Sequence, residues 1–369
     1  MAFDRKYMER ALELAKKGIG AVNPNPLVGA VIVKDDRIIG EGYHHKYGDL
    51  HAERDAFANL TEDAEGAEMY VTLEPCCHTG KQPPCVEAII EHKIKRVYIG
   101  SDDPNPLVAG KGMFELRKHG IEVMPHFMKE ECDAINSVFF YYITTGLPYT
   151  VMKYAMTADG KIATVDGNSK WISCEESRQM VHSWRNEFTG IMCGIGTVLA
   201  DNPMLNCRMD GGRDPVRIIC DSHLRIPLES NIVVTANKYK TVIATLESSK
   251  QSEKGKINAL HSAGVTILYI PEAADGELSV PVLMKELGQL KIDSILLEGG
   301  STLNWSILRD GFVNEVRTFI APKIFGGASA PGPIGGDGIS LVEDSPKLYA
   351  DSMEKIGNDI YIRYIPVNE

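Results

Sequence analysis

Apolar positions recur at helical spacing near the start of the chain. After Asp4, a candidate N-cap, Met8, Ala11, Leu12 and Ala15 share one face until Gly18 and Gly20 end the run. Two stretches of strand character follow, 27–33 and 37–43, joined across Lys34-Asp35-Asp36. Further along, the spacing predicts helices over 51–60, 86–92 and 111–119, strands over 68–74, 96–100 and 121–124, and one helix over 130–144. Such alternation predicts a mixed α/β layer sandwich.

Thr145-Gly146-Leu147-Pro148 breaks this rhythm, because glycine weakens a helix and proline turns its predecessor away from helical geometry. We place the domain boundary there, giving 1–146 and 147–369. The uncharged stretch 134–152 is about long enough to cross a bilayer, but Asn136, Ser137, Thr144, Thr145, Gly146 and Pro148 make it a helix end and a linker. Beyond the break the pattern predicts extended segments over 149–155, 190–196, 216–221, 241–246 and 293–298, with helices over 175–187 and 251–263.

Composition narrows the function. A chain of 369 residues suits about two domains, and 44% hydrophobic with 24% charged residues is ordinary for a folded protein. Thirty-nine basic against 50 acidic residues leave a net charge of −11. That balance lacks the basic footprint used on nucleic acid or anionic membrane, so neither is expected as a partner and a small molecule is. The N-terminus has no apolar run of the secretory kind, which points to the cytoplasm. In that setting eight cysteines read as metal ligands or core thiols rather than disulfides.

Three of those cysteines fall within 76–85. His51-Ala52-Glu53 opens one predicted helix, Pro75-Cys76 follows a predicted strand, and Cys85 starts another helix. One imidazole and two thiolates form a three-ligand zinc set whose fourth position stays open to water, with a pKa that the metal lowers to about 7. Glu53 reaches the same water without ligating the metal and carries its proton. This is the His-x-Glu, Pro-Cys, Cys signature of zinc nucleobase deaminases, although Cys76 and Cys85 stand eight residues apart, more than is usual, and Cys77 competes as a ligand.

Asn25-Pro-Leu-Val-Gly-Ala, His51-Ala-Glu, 72–85 (TLEPCCHTGKQPPC) and 103–110 (DPNPLVAG) together resemble the bifunctional deaminase/reductase family of riboflavin biosynthesis, in which the longer cysteine gap is normal. The resemblance implies a cytidine-deaminase-like α/β/α sandwich followed by a dihydrofolate-reductase-like α/β domain. It implies one Zn²⁺ on His51, Cys76 and Cys85, Glu53 as proton shuttle, and Asn25, His44, Lys81, Asp103 and Asn105 on a pyrimidine ribosyl phosphate. Cys77 stands where the family often has serine, and reads as packing.

Read from residues alone, the second half is quieter. Gly194-Ile-Gly196 and Glu298-Gly299-Gly300-Ser301 place glycines where strands give way to helices, a place for phosphates. Asp221, 25 residues past Gly196, is the acid that a Rossmann reading would set on a ribose, although no complete Gly-x-Gly-x-x-Gly is present. The stretches 153–171, 194–203, 298–301 and 321–327, with Leu205 and Arg208, are similar to the same family's reductase domain. The resemblance implies NADPH held by Ala155, Trp171, Thr197, Asp201, Ser222 and the turn formed by Gly300, Ser301, Thr302, Leu303, Asn304, Trp305 and Ser306. It implies substrate on Ser169, Arg185, Leu205, Arg208 and Glu298, the two arginines suiting a sugar phosphate. Lys153 and Asp201 are the candidates for proton transfer at the sugar, and Tyr154 for shaping the nicotinamide pocket. A homo-oligomer, dimer or tetramer, is the expected assembly.

The expected chemistry is loss of ammonia from 2,5-diamino-6-ribosylamino-4(3H)-pyrimidinone 5′-phosphate, then NADPH reduction of the ribosyl group to ribityl. The competing readings are a nucleic-acid or nucleoside deaminase with an accessory domain, and a zinc-stabilised binding protein with a closed four-ligand site.

Overall fold

The computed structural model describes residues 4–78, 82–105 and 108–367. Its contacts divide the chain into two compact units, residues 1–146 and 147–369.

In the first unit, α1 (Arg5–Lys16) precedes the hairpin β1 (Gly29–Lys34) and β2 (Arg37–Tyr43). Then come α2 (Ala52–Ala58), β3 (Glu68–Leu73), α3 (Cys85–Glu91), β4 (Arg96–Ser101), α4 (Lys111–Lys118), β5 (Glu122–Met124), α5 (Lys129–Ala134) and α6 (Ser137–Thr145). Asp35 and Asp36 both take positive φ, as a two-residue hairpin turn requires. The sheet order is β2-β1-β3-β4-β5, with β3, β4 and β5 parallel and β1 antiparallel to its neighbours. Alternate strand residues feed opposite layers. Met69, Val71, Val97 and Ile99 pack with Ala52, Ala56 and Ile89, whereas Tyr70 and Tyr98 pack with Met8, Ala11 and Leu12 of α1. A Cβ on Gly29 would overlap the Ala11 carbonyl, so α1 lies directly on β1.

The helix predicted over 130–144 is two helices, broken at Ile135-Asn136. Asn136 is 2% exposed, and its amide donates to the Leu27 carbonyl at 2.9 Å while accepting from the Leu27 N–H at 2.8 Å. Satisfying that buried peptide overrides the helical period.

The second unit contains β6 (Tyr149–Thr157), α7 (Glu175–Glu187), β7 (Gly190–Gly194), α8 (Ile195–Asp201), β8 (Val216–Cys220), α9 (Asn231–Val234), β9 (Thr241–Leu246), α10 (Ser249–Ser252) and α11 (Lys254–Ser262). It continues with β10 (Val265–Ile270), α12 (Val280–Gln289), β11 (Ser294–Leu297), α13 (Ser301–Arg309), β12 (Glu315–Ala321), β13 (Leu348–Ile356) and β14 (Asp359–Pro366). The sheet order is β10-β9-β8-β7-β11-β6-β12-β14-β13, parallel except where β14 joins β12 and β13. Its central strands are mostly apolar because both faces are covered. Residues of α12 and α13 pack on one side, and residues of α8, α9 and α11 on the other.

Two expectations change here, and two elements prove to have gone unread. The extended segment over 190–196 ends at Gly194, since Ile195 already begins α8, and the helix over 251–263 is two helices meeting at Glu253. The β13–β14 hairpin escapes the pattern because β13 is an edge strand exposed along most of its length, with no apolar alternation to read. By contrast α12 carries Val280, Leu283, Met284 and Leu287 at helical spacing, a signal present in the sequence though absent from the expectations above.

Arg217, fully buried on β8, holds this unit's interior. Its guanidinium donates to Thr241 Oγ1 at 2.6 Å, Thr235 Oγ1 at 2.9 Å and the Ile232 carbonyl at 2.8 Å. Arg217→Ala leaves those acceptors buried and is expected to cost about 3 kcal/mol or more. Trp171, Trp184 and Trp305 all lie in this unit, so the urea midpoint read by tryptophan fluorescence checks the loss.

Candidate active sites

In the first unit, the chain leaves β3 through Glu74, whose buried carboxylate accepts the Gly110 and Met113 N–H groups at the start of α4. This anchor sets Pro75-Cys76 beside two helix starts. His51 is the N-cap of α2, and Cys85 is the first residue of α3. His51 Nδ1 lies 3.5 Å from Cys76 Sγ and 3.4 Å from Cys85 Sγ, and all three donor atoms fall within 4.8 Å of one another. A tetrahedral zinc with ordinary bond lengths separates its N and S ligands by about 3.6 Å. Hydrogen bonding from the Cys85 thiol, then from His51, pushes the Cys76 thiol down despite burial. The residues present therefore fit zinc in position and donor chemistry.

Surrounding groups fix this arrangement. Arg54, next to Glu53, donates to the Pro83 and Pro84 carbonyls at 3.0 and 2.8 Å, stapling the approach to Cys85 onto α2. Cys77 packs against the core, where burial raises its thiol, and it is not part of the His51, Cys76, Cys85 group.

Glu53 is 3% exposed, and burial pushes its carboxyl up. It lines a cavity of about 310 Å³ together with Asn25, His44, Asp103 and Asn105. His44 Nδ1 donates to the Leu50 carbonyl at 2.9 Å, so its Nε2 accepts from Asn25 Nδ2 at 3.1 Å, and burial favours this neutral ring. Asp103 accepts the Asn105 N–H at 2.8 Å, and burial raises its carboxyl to about 6. Lys81 lies outside the described residues. The sequence reading missed Asn136, which fixes Leu27 and hence the Asn25-Pro26 approach. Its only signal was a polar residue inside an apparent helix.

In the second unit, β7 and β11 are neighbours, and their exits meet: Gly194 N donates to the Gly299 carbonyl at 3.4 Å. Helices α8 and α13 start there, so unpaired N–H groups of both face one place, which favours a phosphate. Gly299 and Gly300 have φ +115 and +82, which only glycine adopts freely. Thr197 stands beside Gly299, and Leu303 beside Gly194. Residues 333–336 cover the first turns of α13, with Gly335 N donating to the Ser301 carbonyl and Asn304 Nδ2 to the Pro333 carbonyl. Asn304 and Trp305 turn their side chains toward this loop. Ser306 returns its hydroxyl to the Thr302 carbonyl.

Ala155 lies on β6 in register with Phe319, next to the buried ring of Tyr154. Trp171 is 61% exposed beneath the Arg178 guanidinium. Ser169 donates to Asp201 Oδ1 at 3.4 Å, and Lys170 approaches the same oxygen at 3.8 Å. Ser222 donates to Glu277 at 2.7 Å. Asp221 does not face a ribose: fully buried, it accepts the Arg225 and Ile226 N–H groups and caps that turn, which corrects the Rossmann reading.

The ionic centre is Glu298, at the end of β11. Arg185 grips it with two bonds of 2.7 and 2.9 Å, and Lys153 Nζ stands 3.9 Å away. Burial acts to raise the Glu298 carboxyl, but Arg185 and Lys153 together hold it at about 2. Burial pulls the Lys153 ammonium down against Glu298's attraction. Arg185 gives a third bond to the Asn206 carbonyl at 3.1 Å, which leaves two of its five N–H groups without a partner among these bonds. Arg208 remains exposed, and Leu205 is buried with φ +50.

Comparison with known proteins agrees with this geometry. Residues 1–101 match the family model for the cytidine and deoxycytidylate deaminase zinc-binding region, and residues 148–362 match that for the RibD C-terminal domain. The riboflavin biosynthesis protein RibD of Actinobacillus pleuropneumoniae is 53% identical over 365 residues, covering 99% of this chain and 96% of that protein. Its counterpart from Aquifex aeolicus (strain VF5) is 42% identical over 360 residues, 97% of each. Among solved structures, RibD of Acinetobacter baumannii, form 1, has a TM-score of 0.88 at 35% identity, with 99% of each chain covered. The Thermotoga maritima diaminohydroxyphosphoribosylaminopyrimidine deaminase/5-amino-6-(5-phosphoribosylamino)uracil reductase has a TM-score of 0.87 at 39% identity, with 98% of each covered. Fold and sites thus define a zinc-binding deaminase joined to a reductase. The chain belongs to the RibD family of riboflavin biosynthesis proteins.

Two predictions follow from the sites. Cys76→Ser and Cys85→Ser are expected to lose stoichiometric zinc, and Cys77→Ser to keep it, as metal analysis of the purified proteins checks. Glu298, near 2 against an ordinary 4.5, stabilises the fold above about pH 4.5 and stops doing so as pH falls toward 2. Glu298→Gln strands Arg185 and is expected to cost roughly 3 kcal/mol at pH 7. The gap between its melting temperature and the parent's should therefore narrow from pH 4.5 downward.

Proposed function

We propose that residues 1–146 remove ammonia from 2,5-diamino-6-ribosylamino-4(3H)-pyrimidinone 5′-phosphate, and that residues 147–369 reduce the ribosyl group of the resulting 5-amino-6-(5-phosphoribosylamino)uracil to ribityl. The observation that carries this reading is the His51, Cys76, Cys85 cluster with buried Glu53 on the wall of the same cavity.

His51, Cys76 and Cys85 would hold zinc, which supplies Lewis acidity that brings the pKa of water toward neutrality. Glu53 takes the proton and delivers it to the leaving amine, since it lines the cavity without being a ligand. The Asn25–His44 pair presents fixed hydrogen-bonding groups to the pyrimidine, Asp103 and Asn105 bind at the facing wall, and Lys81 takes the phosphate.

In the reductase half NADPH supplies hydride. The Gly194 and Gly299-Gly300 turns bind its phosphates, with Ala155, Trp171, Thr197, Asp201, Ser222 and residues 300–306 completing the contact surface. Ser169, Arg185, Leu205, Arg208 and Glu298 bind substrate, and Arg185 also holds Glu298 in place. Lys153 moves a proton at the sugar oxygen, because its ammonium is shielded and stands beside Glu298, with Asp201 assisting. We read the enzyme as cytoplasmic, supported by eight cysteines outside any disulfide. We also read it as a homo-oligomer, dimer or tetramer, supported by exposed Tyr349 and Met353 on edge strand β13.

The experiment measures ammonia from enzyme and substrate alone, then NADPH consumption after its addition. Glu53→Gln is expected to slow ammonia release by about a thousandfold, to keep its zinc, and to reduce supplied deaminated intermediate at the parent rate. Full-rate ammonia release from this variant would remove Glu53 from the mechanism.

A further inference from the structure

Helix α6 carries no charged residue, and its middle reads Val138-Phe139-Phe140-Tyr141-Tyr142-Ile143. It lies within the uncharged stretch 134–152, a composition that a linker does not require. A helix this apolar is normally buried, yet Phe139 alone of its nine residues is. Phe139, Tyr142 and Ile143 stand at i, i+3 and i+4, so they share one face of the helix. All three line the cavity that also contains His51, Glu53 and Cys76. Phe139 is 8% exposed, and Tyr142 and Ile143 are half-buried.

The buried Asn136 sets this face in place. It is the N-cap of α6, and its two bonds to the Leu27 peptide hold the start of the helix against Asn25-Pro26-Leu27. Asn25 and Pro26 line the same cavity. One amide thus fixes two walls: the polar edge that Asn25 forms with His44, and the aromatic face of α6. Asp103 and Asn105 reach the cavity from the segment after β4. The metal ligands and Glu53 lie within residues 1–101, the zinc-binding region, whereas α6 lies between the two matched regions. The chemistry therefore comes from the shared part of the domain, and this wall does not.

A pyrimidine ring has hydrogen-bonding edges and apolar faces, and a side chain laid on a face binds the ring through its π-surface. Asn25, His44, Asp103 and Asn105 are polar and suit the edges, whereas the α6 side chains suit a face. We infer that Tyr142 and Ile143, backed by Phe139, form the surface on which the pyrimidine ring of the deaminase substrate is laid. Helix α6 is then a specificity-determining element for the ring and not for the ribosyl phosphate. The inference rests on the deaminase reading above, and it names how the ring of that substrate is held.

The test follows ammonia release by the full-length enzyme without NADPH, so that only the first half turns over. Two inhibitors are compared: the deaminated product 5-amino-6-(5-phosphoribosylamino)uracil, which has the ring, and ribose 5-phosphate, which has the tail alone. We expect Tyr142→Ala to raise the substrate KM and the product inhibition constant by about tenfold, near the lower end of what one base–aromatic stack is worth. The inhibition constant of ribose 5-phosphate should stay within about twofold. Tyr142→Phe, which keeps the aromatic face, should stay within about threefold of the parent throughout. Ile143→Ala acts on the same face and gives a second reading should Tyr142→Ala fail to fold, with a rise of about threefold for the product alone. Zinc content and melting temperature at parent values show that each variant is folded. Product inhibition left at the parent value in both alanine variants would overturn the inference, as would an equal rise for ribose 5-phosphate, and the deaminase reading would stand because the parent releases ammonia. A parent enzyme that releases none would overturn both.

Discussion

Parallel strands cannot be joined by a tight turn, so each hands the chain to a crossover at its C-terminal end, and the groups proposed here for chemistry gather at such handovers. In the first unit β3 passes through Glu74 and Pro75 to Cys76, and Cys85 opens the returning helix. In the second, β7 gives way at Gly194 to α8, and β11 passes through Glu298, Gly299 and Gly300 to α13. A side chain just past a strand end is free of the ladder yet still anchored by it. A helix just beginning has N–H groups without intrahelical partners. Such an edge therefore offers aimed side chains and unpaired donors together, without disturbing the core beneath.

The same edges are where burying charge is most hazardous, and the structure meets the hazard with pairing. Glu298 has Arg185 and Lys153, and Glu74 has the first N–H groups of α4. Asp221 is answered by two backbone donors of its own turn. Away from the sites the rule is unchanged: buried Glu315 is gripped by Arg317 and Arg363. An unanswered buried charge would cost several kcal/mol, so each pairing fixes a side-chain position as well as an energy. That is how Glu298 is held still at the end of β11.

Much of the first unit was legible because its strands are short, largely apolar runs and its helices keep one apolar face. β2 was read at its true bounds, and β3, β4 and α3 within a residue or so of theirs. The metal cluster was legible for a different reason: His51, Cys76 and Cys85 are uncommon residue types set at the boundaries of predicted elements. The second unit hid more. β13 is exposed and carries no alternation, and Gly196 looked like a strand end though it already lies inside α8. Asp221 had the right spacing for one role and the burial for another.

The sequence by itself determined the elements of this protein and the kinds of chemistry it carries, since hydrophobic period, glycine turns and clustered donors are local information. Only the tertiary structure decided which polar groups satisfy one another. Asn136 finds Leu27 across 109 residues, and Arg185 finds Glu298 across 113. Neither partner can be read from the local pattern around the other. A buried donor takes whichever acceptor the packed core brings within about 3 Å, and that choice exists only once the layers have closed.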